Sequence, residues 1–166
     1  MANHDAARNR DAANIGTVTV GAADVSAAVG AAAVSFTCHP ISRGVASGEA
    51  LISRDDICFY LTDPETGVVI EKGHSLEGKS VAGKILIFPG GKGSSVVQAD
   101  GLYQLMLRGN APKAMIIKNP DTVLVATAII MEIPLVDRVD EGFYAAVKDG
   151  DRVRVDAEEG RLIMGG

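Results

Sequence analysis

The chain has 166 residues, of which 47% are hydrophobic, 22% charged and only 4% aromatic, and its formal net charge is −5. This is enough for one globular domain with a real core, while the acidic balance and the lack of a basic stripe exclude a phosphate-backbone binder and the scarcity of aromatics excludes a stacking platform for single-stranded nucleic acid. Two cysteines, Cys38 and Cys58, without CxxC or HExxH spacing, give neither a disulfide framework nor a metal-ligand set within this chain.

No apolar run reaches the length that spans a bilayer, and the start, MANHDAARNRDAAN, lacks the hydrophobic centre of a secretory signal. A cytoplasmic protein without membrane or nucleic-acid partners is expected. Residues 1–33 are Ala-rich and polar at the outset. They read either as a loosely ordered arm or as a strand over Thr17 to Val20 with a small helix behind it. The folded domain is expected over 34–166.

From Val34 onward the pattern sharpens. Gly48 to Ser53 reads as a strand, and Ile57 to Leu61 is a second apolar stretch. Asp63-Pro-Glu-Thr-Gly67 is a turn in which Pro fixes φ and Gly takes the reversed one. Lys84 to Phe88 is a short apolar run expected to be a buried strand. Val96, Ala99, Tyr103, Met106 and Leu107 recur at helical spacing, and Gly109 to Pro112 ends that helix. Lys113 to Ile117 predicts another strand. Asn119 to Thr122 predicts a turn and N-cap ahead of a helix over Val123 to Met131. Pro134 to Asp137 reads as a short strand and Gly142 to Val147 as a short helix or turn. Arg152 to Asp156 and Arg161 to Met164, joined at Glu159-Gly160, predict a hairpin. Strands first, then strand–helix alternation, then a hairpin specify an α/β fold of the mixed β/α kind.

One segment carries more chemistry than the rest. Phe88 to Ser95, FPGGKGSS, lies between an apolar strand and a helix start. Such a turn lets backbone approach a ligand closely, and a helix N-terminus supplies unpaired N–H groups and partial positive charge. Ser94, Ser95, Gly93 and Lys92 therefore form a candidate cradle for an anionic substrate or a developing alkoxide. It is not a Walker loop, because Leu86 stands where the first glycine belongs and Gly93 follows Lys92. Nor is it a dinucleotide fingerprint, since Val96 replaces the third glycine. No Gly-x-Ser-x-Gly elbow is present. An ordinary capping turn remains the simple alternative. Arg43, between small residues, is a second candidate for gripping a carboxylate through both guanidinium arms. Cys38-His39 lacks a third ligand, and Cys58 is expected to pack. His74 is expected to serve its own turn or to line a cleft.

The ordered series G-E-A-L from Gly48, D-x-x-T-G from Asp63, H-x-L-x-G from His74, P-G-G-K-G-S-S from Pro89 and N-P-D from Asn119 resembles the small subunit of the aconitase X family. The resemblance runs from about Ile41 to Met164. It implies a swivelling β/β/α domain of aconitase type, working as one subunit of a hydro-lyase that dehydrates a small hydroxy-acid substrate. It implies that Ser94 is the proton acceptor and that Ser95, with nearby N–H groups, holds the substrate carboxylate. The partner is then an aconitase X large subunit, which carries an iron–sulfur cluster or iron, with no metal bound by this chain alone. Two activities compete within the family, dehydration of cis-3-hydroxy-L-proline and dehydration of phosphomevalonate. The Ala-rich arm favours the former, and only Lys92 is evident as a cation for a phosphorylated substrate. A non-catalytic anion-binding docking module and a stand-alone hydrolase are the rival readings.

Overall fold

Short apolar runs punctuated by glycine turns fold into strands, and a computed structural model describes them over residues 32–165. The strands are β1 (Val34–Thr37), β2 (His39–Ser42), β3 (Val45–Ile52), β4 (Ile85–Phe88), β5 (Ala114–Ile117), β6 (Leu135–Asp137), β7 (Arg152–Asp156) and β8 (Arg161–Met164). Three helices join them: α1 (Ser95–Leu107), α2 (Thr122–Ile130) and α3 (Glu141–Ala146). The alternative readings of the arm fall, up to residue 31, outside the described residues. No helix among the described residues is long and apolar enough to cross a membrane.

The eight strands make one sheet in the order β1-β8-β7-β3-β4-β5-β6-β2. The central run β3-β4-β5-β6 is parallel, and the outer strands pair antiparallel. β3 links the two regimes: Val45 to Glu49 pair with β7, and Ala50 to Ile52 pair with β4. Every residue of β4 and β5 is buried, as parallel strands covered on both faces require. Leu86, Phe88, Met115 and Ile117 face one core with Leu102 and Leu105 of α1 and Leu124 of α2. Ile85, Ile87 and Ile116 face the other with Phe143 of α3 and Val153 and Val155 of β7. The mixed α/β class, the two core strands, the three helices and the closing hairpin are found as the sequence predicts.

Three features differ. β1 and β2 carry no clean alternation in sequence; β2 is an edge strand paired with β6 through a bulge between Pro40 and Ser42, the place where a proline is tolerated in a sheet. Ile57 to Leu61 forms a parallel bridge from Ile57 to Gly91 and then a single 3₁₀ turn, Phe59–Leu61. The face of α1 is rotated from the stripe expected: Gln98, Gly101, Leu102 and Leu105 are buried, whereas Val96, Tyr103 and Leu107 are exposed. The cause is a close approach. The Cα of Gly101 lies against the backbone of Phe59 and Tyr60, where a Cβ would overlap the Tyr60 nitrogen. A glycine and a glutamine give no hydrophobic signal, so the seam they form is silent in a periodicity argument.

This contact sets two effects against each other. Alanine at 101 gains about 1 kcal/mol of helix propensity. The added methyl overpacks against backbone, which costs about 1–3 kcal/mol where neighbours yield and more where they cannot. Gly101→Ala is therefore expected to lower the midpoint of urea unfolding. A midpoint equal to or above wild type would show that the helix is not seated through Gly101.

Candidate active site

The glycine-rich turn starts where β4 leaves the sheet, and its first half is stitched in place. Asn119 N–H donates to the Pro89 carbonyl at 2.8 Å, Ile57 N–H to Gly90 at 2.9 Å, and Lys92 N–H to Ile57 at 3.0 Å. Gly91 is enclosed as well: a Cβ there would meet the Asp121 carboxylate at 2.8 Å and the Gln98 amide oxygen closer still. Those two oxygens, Gln98 Oε1 and Asp121 Oδ2, are buried without a hydrogen-bond partner among the described residues. The other Asp121 oxygen accepts from Val123 and Leu124 N–H at 3.0 Å and caps α2, as the Asn-Pro-Asp segment predicts.

The second half of the turn is open. Gly93, Ser94 and Ser95 are exposed, with Gly93 at φ +104 and its carbonyl held by Gln98 Nε2 at 3.0 Å. Ser94 occupies the N-cap position of α1, extended at φ −69 and ψ 160, yet its side chain makes no capping bond. The capping alternative drawn from the sequence is thus realised in position but not in bonding. The first N–H groups of a helix have no partner within it, so the Ser94 hydroxyl and these amides face outward together at the positive end of α1.

The other sequence candidates separate. Lys92 reaches Glu71, its Nζ 2.6 Å from Oε1. Its charge beside the serines is thus matched by a carboxylate, which the sequence did not indicate. Arg43 is not brought to the turn. It follows β2 at the opposite end of the parallel strands, lies beside Glu132 beyond the end of α2, and pairs with Glu158 at 3.4 Å. Cys58 is buried in the core beneath Gly93. His74 is buried too: its Nδ1 accepts from Leu76 N–H at 3.0 Å, which leaves Nε2 to donate to the Asp56 carbonyl at 3.1 Å, a bonding pattern that serves its own turn. His39 is tied to Asp137 at 2.6 Å.

The described side chains do not fit a metal centre. Among the described residues no group of three or more His, Cys, Asp or Glu is placed to hold an ion. Burial, with Asp156 and Asp137 nearby, pushes the Cys38 thiol up to about 11, which disfavours the thiolate a metal would need. Sequence reasoning missed two cations at the same sheet edge as the turn. Arg54 follows β3 and Lys118 follows β5, and only the parallel register of β3, β4 and β5 puts them next to Pro89.

Comparison with known proteins agrees with the motif series. The aconitase X swivel domain family matches residues 35–164. The phosphomevalonate dehydratase small subunit of Methanosarcina acetivorans is 51% identical over 125 residues, covering 75% of this chain and 86% of the relative. That of Archaeoglobus fulgidus is 50% identical over 135 residues, covering 79% and 98%. Among solved structures, the holo-form of Thermococcus kodakaraensis aconitase X superposes with a TM-score of 0.72 at 40% identity, covering 79% of this chain and 98% of that one. The Methanosarcina and Archaeoglobus relatives bear the name of the second activity implied by the resemblance. The hydroxyproline preference finds no support in them. It rested on the arm, which lies outside the matched residues, and on Lys92 being the one evident cation near the turn.

The Asp121 cap generates a test of this geometry. Asp121→Ala removes the acceptor of two N–H groups and is expected to cost about 1 kcal/mol. It should also raise amide exchange at Val123 and Leu124. An unchanged exchange rate at both amides would contradict the cap.

Proposed function

The chain belongs to the aconitase X swivel domain family, and from that premise we propose that it is the small subunit of a phosphomevalonate dehydratase, with Ser94 as the base that removes the substrate proton. The observation that carries the assignment is the unsatisfied Ser94 hydroxyl at the head of α1. A serine that capped its helix would have its oxygen committed to a backbone N–H; this one does not.

Phosphomevalonate is a β-hydroxy acid with a phosphate monoester at its far end. Dehydration removes a proton from the carbon beside the carboxylate and the hydroxyl from the next carbon. In the proposed reaction Ser94 Oγ accepts that proton. The C–H electron pair becomes the new double bond, and the hydroxyl leaves and is protonated to water. A serine hydroxyl is a weak base, so the alkoxide form has to be stabilised before reaction. The α1 N-terminus and its free amides are aimed where that charge resides. Ser95 and the adjacent N–H groups bind the substrate carboxylate. Lys92, paired with Glu71, shapes the turn more than it contributes a net charge.

Gly93 to Ser95 are exposed in this chain alone. A large subunit closes over them in the proposed enzyme, excluding water and strengthening each electrostatic contact. The iron–sulfur cluster or iron is assigned in this reading to that subunit; among the described residues of this chain no group of three or more His, Cys, Asp or Glu is placed to hold an ion.

With both subunits combined, Ser94→Ala is expected to lower kcat on phosphomevalonate by about 10²–10⁴-fold, the usual worth of a general base, with assembly unchanged by gel filtration. Ser95→Ala should act mainly on KM. Near wild-type kcat in Ser94→Ala would remove the base assignment. Anion binding by this chain, without dehydration when the large subunit is added, would favour a docking module instead.

A further inference from the structure

A cavity of about 310 Å³ opens beside the turn at the C-terminal edge of β3, β4 and β5. Arg54, Lys118 and Tyr144 line it, and so does Pro89, the residue on which the glycine-rich turn begins. Ligands of open α/β sheets gather at this edge. The pocket thus adjoins the start of the turn whose far end carries Ser94.

Arg54 and Lys118 have no carboxylate within ion-pair distance among the described residues, a state shared with Lys113, Lys148 and Arg152, whereas Lys79, Lys84, Lys92 and Arg108 are all paired; what distinguishes Arg54 and Lys118 is that both line one pocket beside Pro89. Two acids on the segments that flank it are bound to other donors. Asp149 accepts from the Ile52 N–H at 2.7 Å and from Lys79 at 3.1 Å, and Asp55 accepts from the Ser75 N–H at 2.8 Å. Lys118 Nζ is held 4.4 Å from the centre of the Tyr144 ring, which fixes a flexible ammonium over the pocket. Burial, reinforced by Glu141 and Asp137, pushes the Tyr144 hydroxyl up to about 12, so it stays a hydrogen-bond donor. Two unmatched cations and a phenol donor around a concave site suit a phosphate monoester, which offers several acceptor oxygens and nearly two negative charges.

The geometry points to this pocket as the subsite for the phosphate of the substrate. The assignment rests on the dehydratase reading above and supplies the cations that reading lacks once Lys92 is matched by Glu71. The carboxylate end then lies at Ser94 and Ser95, and the phosphate end beyond Pro89.

The test uses the two-subunit enzyme carrying Arg54→Gln, Lys118→Met or both. Each single variant is expected to raise KM for phosphomevalonate at least about tenfold, the loss of one charge-assisted contact, with kcat largely kept. The inhibition constant of inorganic phosphate should rise in proportion. Unchanged KM and phosphate inhibition in the double variant would overturn the subsite while leaving the dehydratase reading intact. Weakened subunit assembly with unchanged KM would overturn it too, and would mark Arg54 and Lys118 as partner contacts. Phosphate binding by the full chain, followed by NMR, is read independently of turnover. Shifts at Arg54, Lys118 and Tyr144 that vanish in the double variant support the subsite even if wild-type enzyme ignores phosphomevalonate. Shifts confined to other residues, or none at all, count against it.

Discussion

The structure turns on the contact of Gly101 with the backbone of Phe59 and Tyr60. A helix docked through a glycine sits closer to its neighbour than any side chain permits, and its axis is fixed by backbone rather than by rotamers. α1 begins only a short way upstream, at Ser95. The depth at which Gly101 seats the helix therefore sets where the helix head, and Ser94 with it, emerges at the sheet edge. Leu102 and Leu105, fully buried beside it, hold the helix down; Gly101 decides how far down.

The turn ahead of that helix is built in two halves with opposite properties. Pro89, Gly90 and Lys92 are hydrogen-bonded to Asn119 and Ile57 through the backbone. Gly93 to Ser95 are exposed, and Ser94 leaves its capping valence unused. A helix start without its cap forgoes about 1 kcal/mol. Spending stability at a position whose surroundings are otherwise rigid is the usual mark of a functional site. Gln98 joins the halves: its Nε2 holds the Gly93 carbonyl, while its Oε1 is buried unpaired next to Gly91. That orphan acceptor is a second local cost borne at the same turn.

How much of this was legible in the sequence depended on whether the signal was local. Strands β4 and β5 were readable because burial on both faces demands unbroken apolar runs. The Asp121 cap was readable because its acceptor and its N–H partners lie within three residues. The FPGGKGSS segment was readable as a strand-to-helix turn on the same grounds. The α1 face was not, because its seam is a glycine and a glutamine and the contact that explains it comes from residues 59 and 60. The fate of Lys92 was hidden in the same way, since Glu71 approaches it from a segment with little regular structure. Arg43 looked like a carboxylate grip in isolation, and only the antiparallel pairing of β2 with β6 places it at the far end of the strands.

Charge shows most clearly why placement outweighs composition. A net charge of −5 argues against a polyanion as ligand, because a long phosphate backbone samples the whole field of the protein. A single phosphate does not. Within a Debye length of about 8 Å it feels the few groups that line its pocket, and there the parallel register of β3, β4 and β5 gathers Arg54 and Lys118 while Asp149 and Asp55 are bound to other donors. Neither cation belongs to a recognisable motif, and they are 64 positions apart by residue number. What makes them a pair is the strand order that also sets Pro89, the start of the turn, between them, so the cationic lining of this edge is a property of the fold and not of any one stretch of the chain.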